Sequence, residues 1–170
     1  MKERNLEQKK TPMWIDLVRH GMTRGNEERR YIGITDEPLS ERGRKLAEQC
    51  MYEMPEIVFS SPLKRCVETA EILYPDQDIY IIEELRECDF GIFEGKNAEE
   101  LSKTEAYQRW IDSNATIPFP GGESREGFRS RCLLGWKESD FCLPRAAKKV
   151  CRCRDTWWCD YEFDGDRHSV

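Results

Sequence analysis

Short apolar runs alternate with stretches of helical spacing along most of the chain. Met13-Trp-Ile-Asp-Leu-Val18 reads as a strand. It runs straight into Arg19-His20-Gly21, then a polar, arginine-rich stretch ending in loop chemistry at Gly33, Asp36 and Pro38. Ser40 is placed to cap a helix in which Leu39, Gly43, Leu46, Ala47, Cys50 and Met54 recur at helical spacing. Ile57-Val58-Phe59 reads as a second strand and Ser60-Ser61-Pro62 as a turn. Leu63, Cys66, Val67, Ala70 and Leu73 mark a second amphipathic helix, and Ile79-Tyr-Ile-Ile82 a third strand. Glu99 to Ser113 carries Leu101, Tyr107, Trp110 and Ile111 at roughly helical spacing, and Pro118, Pro120, Gly121 and Gly122 break it. Phe128, Cys132 and Trp136 predict another helix, in good order to about Lys137. Strands alternating with helices give the α/β class.

The pattern fails after about Ser139, where Cys, Arg, Trp and Asp dominate. The expected organisation is a charged leader over 1–12, a domain over 13–138, and a tail over 139–170 without order of its own.

Composition narrows the function classes. With 170 residues, the chain has length for one domain and a sizeable core. Hydrophobic residues are 38% and charged ones 35%, which is polar for a globular protein. No apolar run is long enough for a transmembrane helix, and Met1 to Lys10 lacks the apolar stretch of a secretory signal. A net charge of -6 argues against nucleic-acid binding. Without an export signal, a reducing, cytoplasmic compartment is expected, and the eight cysteines are expected to be free of disulfides.

The candidate chemistry lies at strand ends. A histidine directly after a buried strand sits at its carboxyl end, where open α/β sheets place their ligand crevices. Arg19 beside His20 can hold a phosphate through parallel hydrogen bonds. Thr23, Arg24 and Asn26 add donors in the next loop, and Arg65 again follows a strand, on the first turn of a helix. Two arginines at strand ends suit a phosphoryl group, provided the positive field is local in an acidic chain.

The ordered combination resembles the histidine phosphatase superfamily, also called phosphoglycerate-mutase-like, from about Met13 to about Lys137. Its motifs stand as Leu17-Val-Arg-His-Gly21 with Asn26, Tyr31-x-Gly33-x-Thr35-Asp36-x-Pro38-Leu39-Ser40, Ser60-Ser-Pro-x-x-Arg65-x-x-x-Thr69-Ala70, Leu85-x-Glu87-x-x-Phe90-Gly91-x-x-Glu94-Gly95, and Pro120-Gly-Gly-Glu-Ser124. The Thr-Asp-x-Pro-Leu version, with no long insertion after Gly95, is most similar to the α-ribazole phosphatase branch, which dephosphorylates a nucleotide-loop intermediate of cobalamin synthesis. The resemblance implies a three-layer α/β/α sheet, incomplete here at the C-terminus. It also implies His20 as nucleophile, Arg19 and Arg65 on the equatorial oxygens, and Glu87 as proton donor and later base. Thr23 and Asn26 would be secondary phosphate contacts. The implied partner is a small phosphorylated metabolite, with no metal or other cofactor. A mutase and an inactive, truncated family member remain alternatives.

The chain departs from the family late. The family's second histidine follows a late apolar strand in a His-Gly-Gly context. The only other histidine here is His168, after Asp164-Gly-Asp-Arg and no strand. Cys142, Cys151, Cys153, Cys159 and His168 offer zinc-favouring groups, but their spacing matches no common pair of knuckles. The genetic code offers another reading. Tryptophan has one codon, so Asp155-Thr-Trp-Trp-Cys-Asp160, read one base later, forces Gly-Gly and permits Thr-His-Gly-Gly. Val150-Cys-Arg-Cys-Arg154 in that frame permits Val-Val-Val-Val, and Asp140 onward permits Ile-Phe-Ala. The expectation is a change of frame near Ser139, which leaves the later residues unselected for folding, the chain truncated and its turnover low.

Overall fold

A computed structural model of the chain describes residues 12–139 and 148–154. The described residues fall into two units, one containing the stretch up to Arg19 with the late strand, the other running from His20 into the end of the last helix.

In the first unit, strand β1 (Pro12–Val18) pairs in parallel with β4 (Lys148–Arg154), in a register that sets Pro12 opposite Lys148 and Val18 opposite Arg154. This strand lies within the stretch 139–170 that the sequence reading set apart as a tail. Parallel pairing is made by backbone N–H and C=O groups, so apolar periodicity is not required for it. Leader residues 1–11, along with Cys142, Cys159 and His168, lie outside the described residues.

The second unit holds β2 (Val58–Ser60) and β3 (Ile79–Ile81), again parallel, joined by helix α3 (Lys64–Leu73). This is the strand–helix–strand unit the pattern predicts. Val58, Ala70 and Tyr74 form its small core. Helix α1 (Arg24–Glu27) follows His20, and α2 (Glu41–Glu48) starts at Ser40, whose hydroxyl accepts from the Gly43 amide at 3.0 Å. The spacing predicted α2 as far as Met54. It ends at Glu48 instead, and Met51 is 94% exposed. The single helix expected over 99–113 is two, α4 (Ala98–Leu101) and α5 (Glu105–Asp112), because the Thr104 side chain caps a new start by accepting from the Tyr107 amide. Helix α6 (Arg125–Ser139) completes the unit.

The main core is aromatic. Cys88, Phe90, Phe93, Leu101, Tyr107 and Phe119 are buried together, with Tyr31 and Trp110 against them. Phe93 is fully buried, and its ring meets Tyr107 edge-on at 5.4 Å between centroids. The chain from Glu87 to Glu94 thus drives Cys88, Phe90 and Phe93 inward. Gly91 takes a positive φ of +54°, and a side chain there would run into the backbone of Pro120 and Gly122. The alternation of β and α elements bears out the α/β class. Among the described residues the strands form two two-stranded parallel sheets.

Candidate active site

His20 leaves the end of β1 half-buried. Its Nδ1 lies 2.7 Å from the Gly21 carbonyl. Only the ring nitrogen can donate in that pair, so Nδ1 carries a hydrogen there. The Gly21 amide donates to Thr69 Oγ1 at 2.8 Å, and the Thr69 hydroxyl donates to the Arg65 carbonyl at 2.6 Å. An unbroken hydrogen-bond chain therefore joins the His20 ring to the first turn of α3.

Arg65 is fully buried. Its guanidinium donates to the carbonyls of Thr35 at 2.9 Å and Gly33 at 2.8 Å, while Nε has no partner among the described residues. An unpaired buried donor on a cation is unusual. The same loop is gripped from its donor side by Glu94. That carboxylate accepts from the amides of Gly33, Ile34 and Phe90 at 3.0–3.1 Å and from the Thr35 hydroxyl at 2.6 Å. Gly33 is required here, since a Cβ would collide with the Cys88 carbonyl and the Glu94 carboxylate.

Glu87 is half-buried, and its Oε1 accepts from the Cys88 amide at 2.8 Å. Its charge also acts on the Cys66 thiol, which burial pushes up and the adjacent Arg65 draws down. Glu87 therefore lies within electrostatic reach of Cys66, in the first turn of α3. Arg131 of α6 holds the backbone around Glu87, donating to the carbonyls of Glu84 at 2.7 Å, Arg86 at 3.0 Å and Glu87 at 3.4 Å. Its remaining edge meets the Glu123 carboxylate at 2.7 and 3.1 Å, a pairing that keeps the guanidinium firmly charged. The turn carrying Glu123 is itself pinned, because the Glu123 amide donates to Asp89 O at 2.9 Å.

Thr23 and Asn26, expected as secondary phosphate contacts, bond to each other. The Thr23 hydroxyl accepts from the Asn26 amide at 3.2 Å, and Asn26 Oδ1 accepts from the Thr23 amide at 3.1 Å. They form the reciprocal cap of α1. Thr23, like Arg65, is fully buried, whereas Asn26 is half-buried. Arg19 is exposed and belongs to the first unit. Thr69, Glu94, Glu123 and Arg131 carry the site's scaffold, and sequence reasoning gave none of them a role. The first three stand inside the quoted motifs. Arg131 has no signal that separates it from a surface arginine.

Known proteins agree with this architecture. The chain is 37% identical over 116 residues to phosphoserine phosphatase 1 of Hydrogenobacter thermophilus, covering 64% of this chain and 55% of that protein. It is 36% identical over 144 residues to the protein named Probable phosphoglycerate mutase GpmB of Escherichia coli O1:K1, covering 80% of this chain and 66% of that one. The chain thus spans less than two thirds of the length of either relative. The solved α-ribazole phosphatase from Shigella flexneri superposes with a TM-score of 0.62 at 24% identity, over 83% of this chain and 72% of that one, which shows a shared fold. The family model for the histidine phosphatase superfamily, branch 1, matches residues 15–140, ending where the apolar periodicity ends, and the chain belongs to that superfamily.

Proposed function

We propose that the chain is built as a phosphatase for a small phosphomonoester of the α-ribazole phosphate kind, acting in the cytoplasm through a phosphohistidine on His20. The observation that carries this reading is the 2.7 Å contact from His20 Nδ1 to the Gly21 carbonyl, which puts a hydrogen on Nδ1 and so makes Nε2 the nitrogen through which the neutral ring would attack phosphorus. In the first step Nε2 attacks phosphorus and the bond to the leaving oxygen breaks. Protonated Glu87 gives that oxygen its proton. In the second step the Glu87 carboxylate takes a proton from water, whose oxygen attacks phosphorus. The P–N bond then breaks, its electron pair returns to Nε2, and inorganic phosphate leaves. Arg19 and Arg65 balance charge on the equatorial oxygens, and the Asn26 amide supports the phosphate from α1.

The short path after Gly95 favours a phosphatase over a mutase, since only Lys96 and Asn97 separate it from α4. A second half of the reading concerns turnover. The frame change near Ser139 removes the histidine that would face His20 across the phosphate, so phosphorylation of His20 outpaces its hydrolysis.

The test is labelling with a radioactive phosphomonoester, followed by acid and alkali treatment. Alkali-stable, acid-labile label is expected on the full chain and none on His20→Asn. Absence of label from the folded wild-type chain would remove the reading.

A further inference from the structure

We infer that Thr69 is a positioning residue for His20, setting which ring nitrogen carries the hydrogen. Its catalytic consequence rests on the phosphohistidine reading, while the structural claim stands on geometry alone. Thr69 is 5% exposed and sits one helical turn beyond Arg65 on α3. Its hydroxyl hydrogen is committed to the Arg65 carbonyl at 2.6 Å, which turns an oxygen lone pair toward the Gly21 amide at 2.8 Å. A hydroxyl that donates strongly also accepts more strongly, so the two bonds reinforce each other.

Gly21 needs such an anchor. Lacking a Cβ, it has the widest backbone freedom of any residue, yet its carbonyl is the acceptor that fixes the His20 ring. On its far side the chain is held by the Ser40 amide, which donates to the Met22 carbonyl at 2.9 Å. Thr69 supplies the near-side tether. Without it the Gly21 carbonyl can turn away, and the imidazole loses the bond that favours hydrogen at Nδ1. The Nε2–H tautomer then becomes populated, and in it Nε2 has no lone pair for phosphorus. The β-branched side chain also fills its buried place, so Thr69→Val removes the hydroxyl while nearly preserving shape.

The experiment reads the two ring nitrogens of His20 by ¹⁵N chemical shift in the full chain, at a pH well above the ordinary imidazole value of about 6.5. A His168→Asn background leaves one imidazole, since the chain has two histidines. The parent is expected to show one protonated and one bare nitrogen, widely separated. In Thr69→Val the two resonances should move toward each other, as in a mixture of tautomers, and Thr69→Ser should restore the separation. A folded Thr69→Val protein with the parent's shifts overturns the proposal. If that variant does not fold, hydrogen exchange at the Gly21 amide of the parent decides: strong protection supports the tether, and exchange at the rate of an open chain overturns it. A tautomer response to Thr69→Val with no phosphate ever carried by His20 would refute the phosphatase reading and leave this one standing.

Discussion

Glu94 and Arg65 grip the same loop at residues 33–35, one through its donors and the other through its acceptors. The carboxylate takes the donors of Gly33, Ile34 and Thr35, and the guanidinium takes the acceptors of Gly33 and Thr35. A loop held this way presents its carbonyls inward to a buried cation, an arrangement that leaves little freedom to either side chain. Glu94→Gln turns an amide NH₂ toward a set of N–H donors and removes the charge. It is expected to cost about 2 kcal/mol of stability, since hydrogen bonds to charged groups are worth about 1.5–3 kcal/mol and the abandoned amides are partly buried. Urea denaturation measures this, and hydrogen exchange should accelerate at Gly33 and Ile34. Unchanged stability would show that the loop is held by Arg65 alone.

Arg131 connects α6 to the segment carrying Glu87. It satisfies three carbonyls and one carboxylate with a planar fork, and both it and Glu123 are only 20% exposed in their side chains. Lysine cannot reproduce that fork. Arg131→Lys is therefore expected to destabilise the protein by about 2 kcal/mol, between the values for exposed and fully buried pairs. It should also lower His20 phosphorylation, because the Glu87 backbone loses its support. A labelling rate equal to the parent's, with stability reduced, would confine Arg131 to folding.

The alternation of apolar runs made β1, β2, α3 and β3 legible, and Ser40 and the Ser60-Ser-Pro turn marked two of their boundaries. Local capping was harder to see. Thr23 and Asn26 read as phosphate donors because hydroxyl and amide groups after a histidine suit that role, and their second use as the reciprocal cap of the four-residue helix α1 has no separate signal. The break between α4 and α5 was masked because Leu101, Tyr107 and Trp110 face one core from two helices. Arg65 stood out in the sequence by its place after a strand, whereas its hold on the loop at 33–35 depends on tertiary contacts thirty residues away in sequence. Glu94 and Glu123 were visible as motif letters only, since a carboxylate that accepts backbone amides looks the same in sequence as one that faces water.

Cys88 gives a prediction that is independent of catalysis. Burial is the largest cause pushing its thiol from an ordinary value of 9.0 up to about 12, with the Glu123 charge adding to it. Thiolate is the reactive form, so Cys88 should resist alkylation at neutral pH while exposed Cys50 reacts, as read by peptide mass spectrometry. The shift also sets a pH dependence. The unfolded chain gives up this proton near pH 9.0 and the folded one only near 12, so the stabilisation is complete below 9.0 and is lost as pH rises toward 12. Burial of Tyr31 against Tyr107 acts in the same direction. The melting temperature should fall across this window, and less steeply in Cys88→Ala. Parallel declines for the two proteins would contradict the assignment.

The coding nucleotides around Thr156 test the frame reading most sharply. Read one base later, Asp155 and Thr156 supply the bases for two residues before the forced Gly-Gly, and the second becomes histidine only if the third base of the Thr156 codon is A. The expected codon is therefore ACA. Any of the other three threonine codons places Arg, Pro or Leu before Gly-Gly and ends the idea. The same reading predicts what restoring the frame near Ser139 does. An apolar run would replace the sequence Val150-Cys-Arg-Cys-Arg154, which now lies within the strand paired with β1, and a histidine motif would follow it. One preorganised group that stabilises transferring charge is worth about 10²–10³ in rate. Turnover of p-nitrophenyl phosphate by the restored protein should therefore exceed that of the present chain by at least about 100-fold. The phosphohistidine label on His20 should become transient where it was persistent. Equal turnover by the two proteins would mean that the present tail already completes whatever site His20 serves.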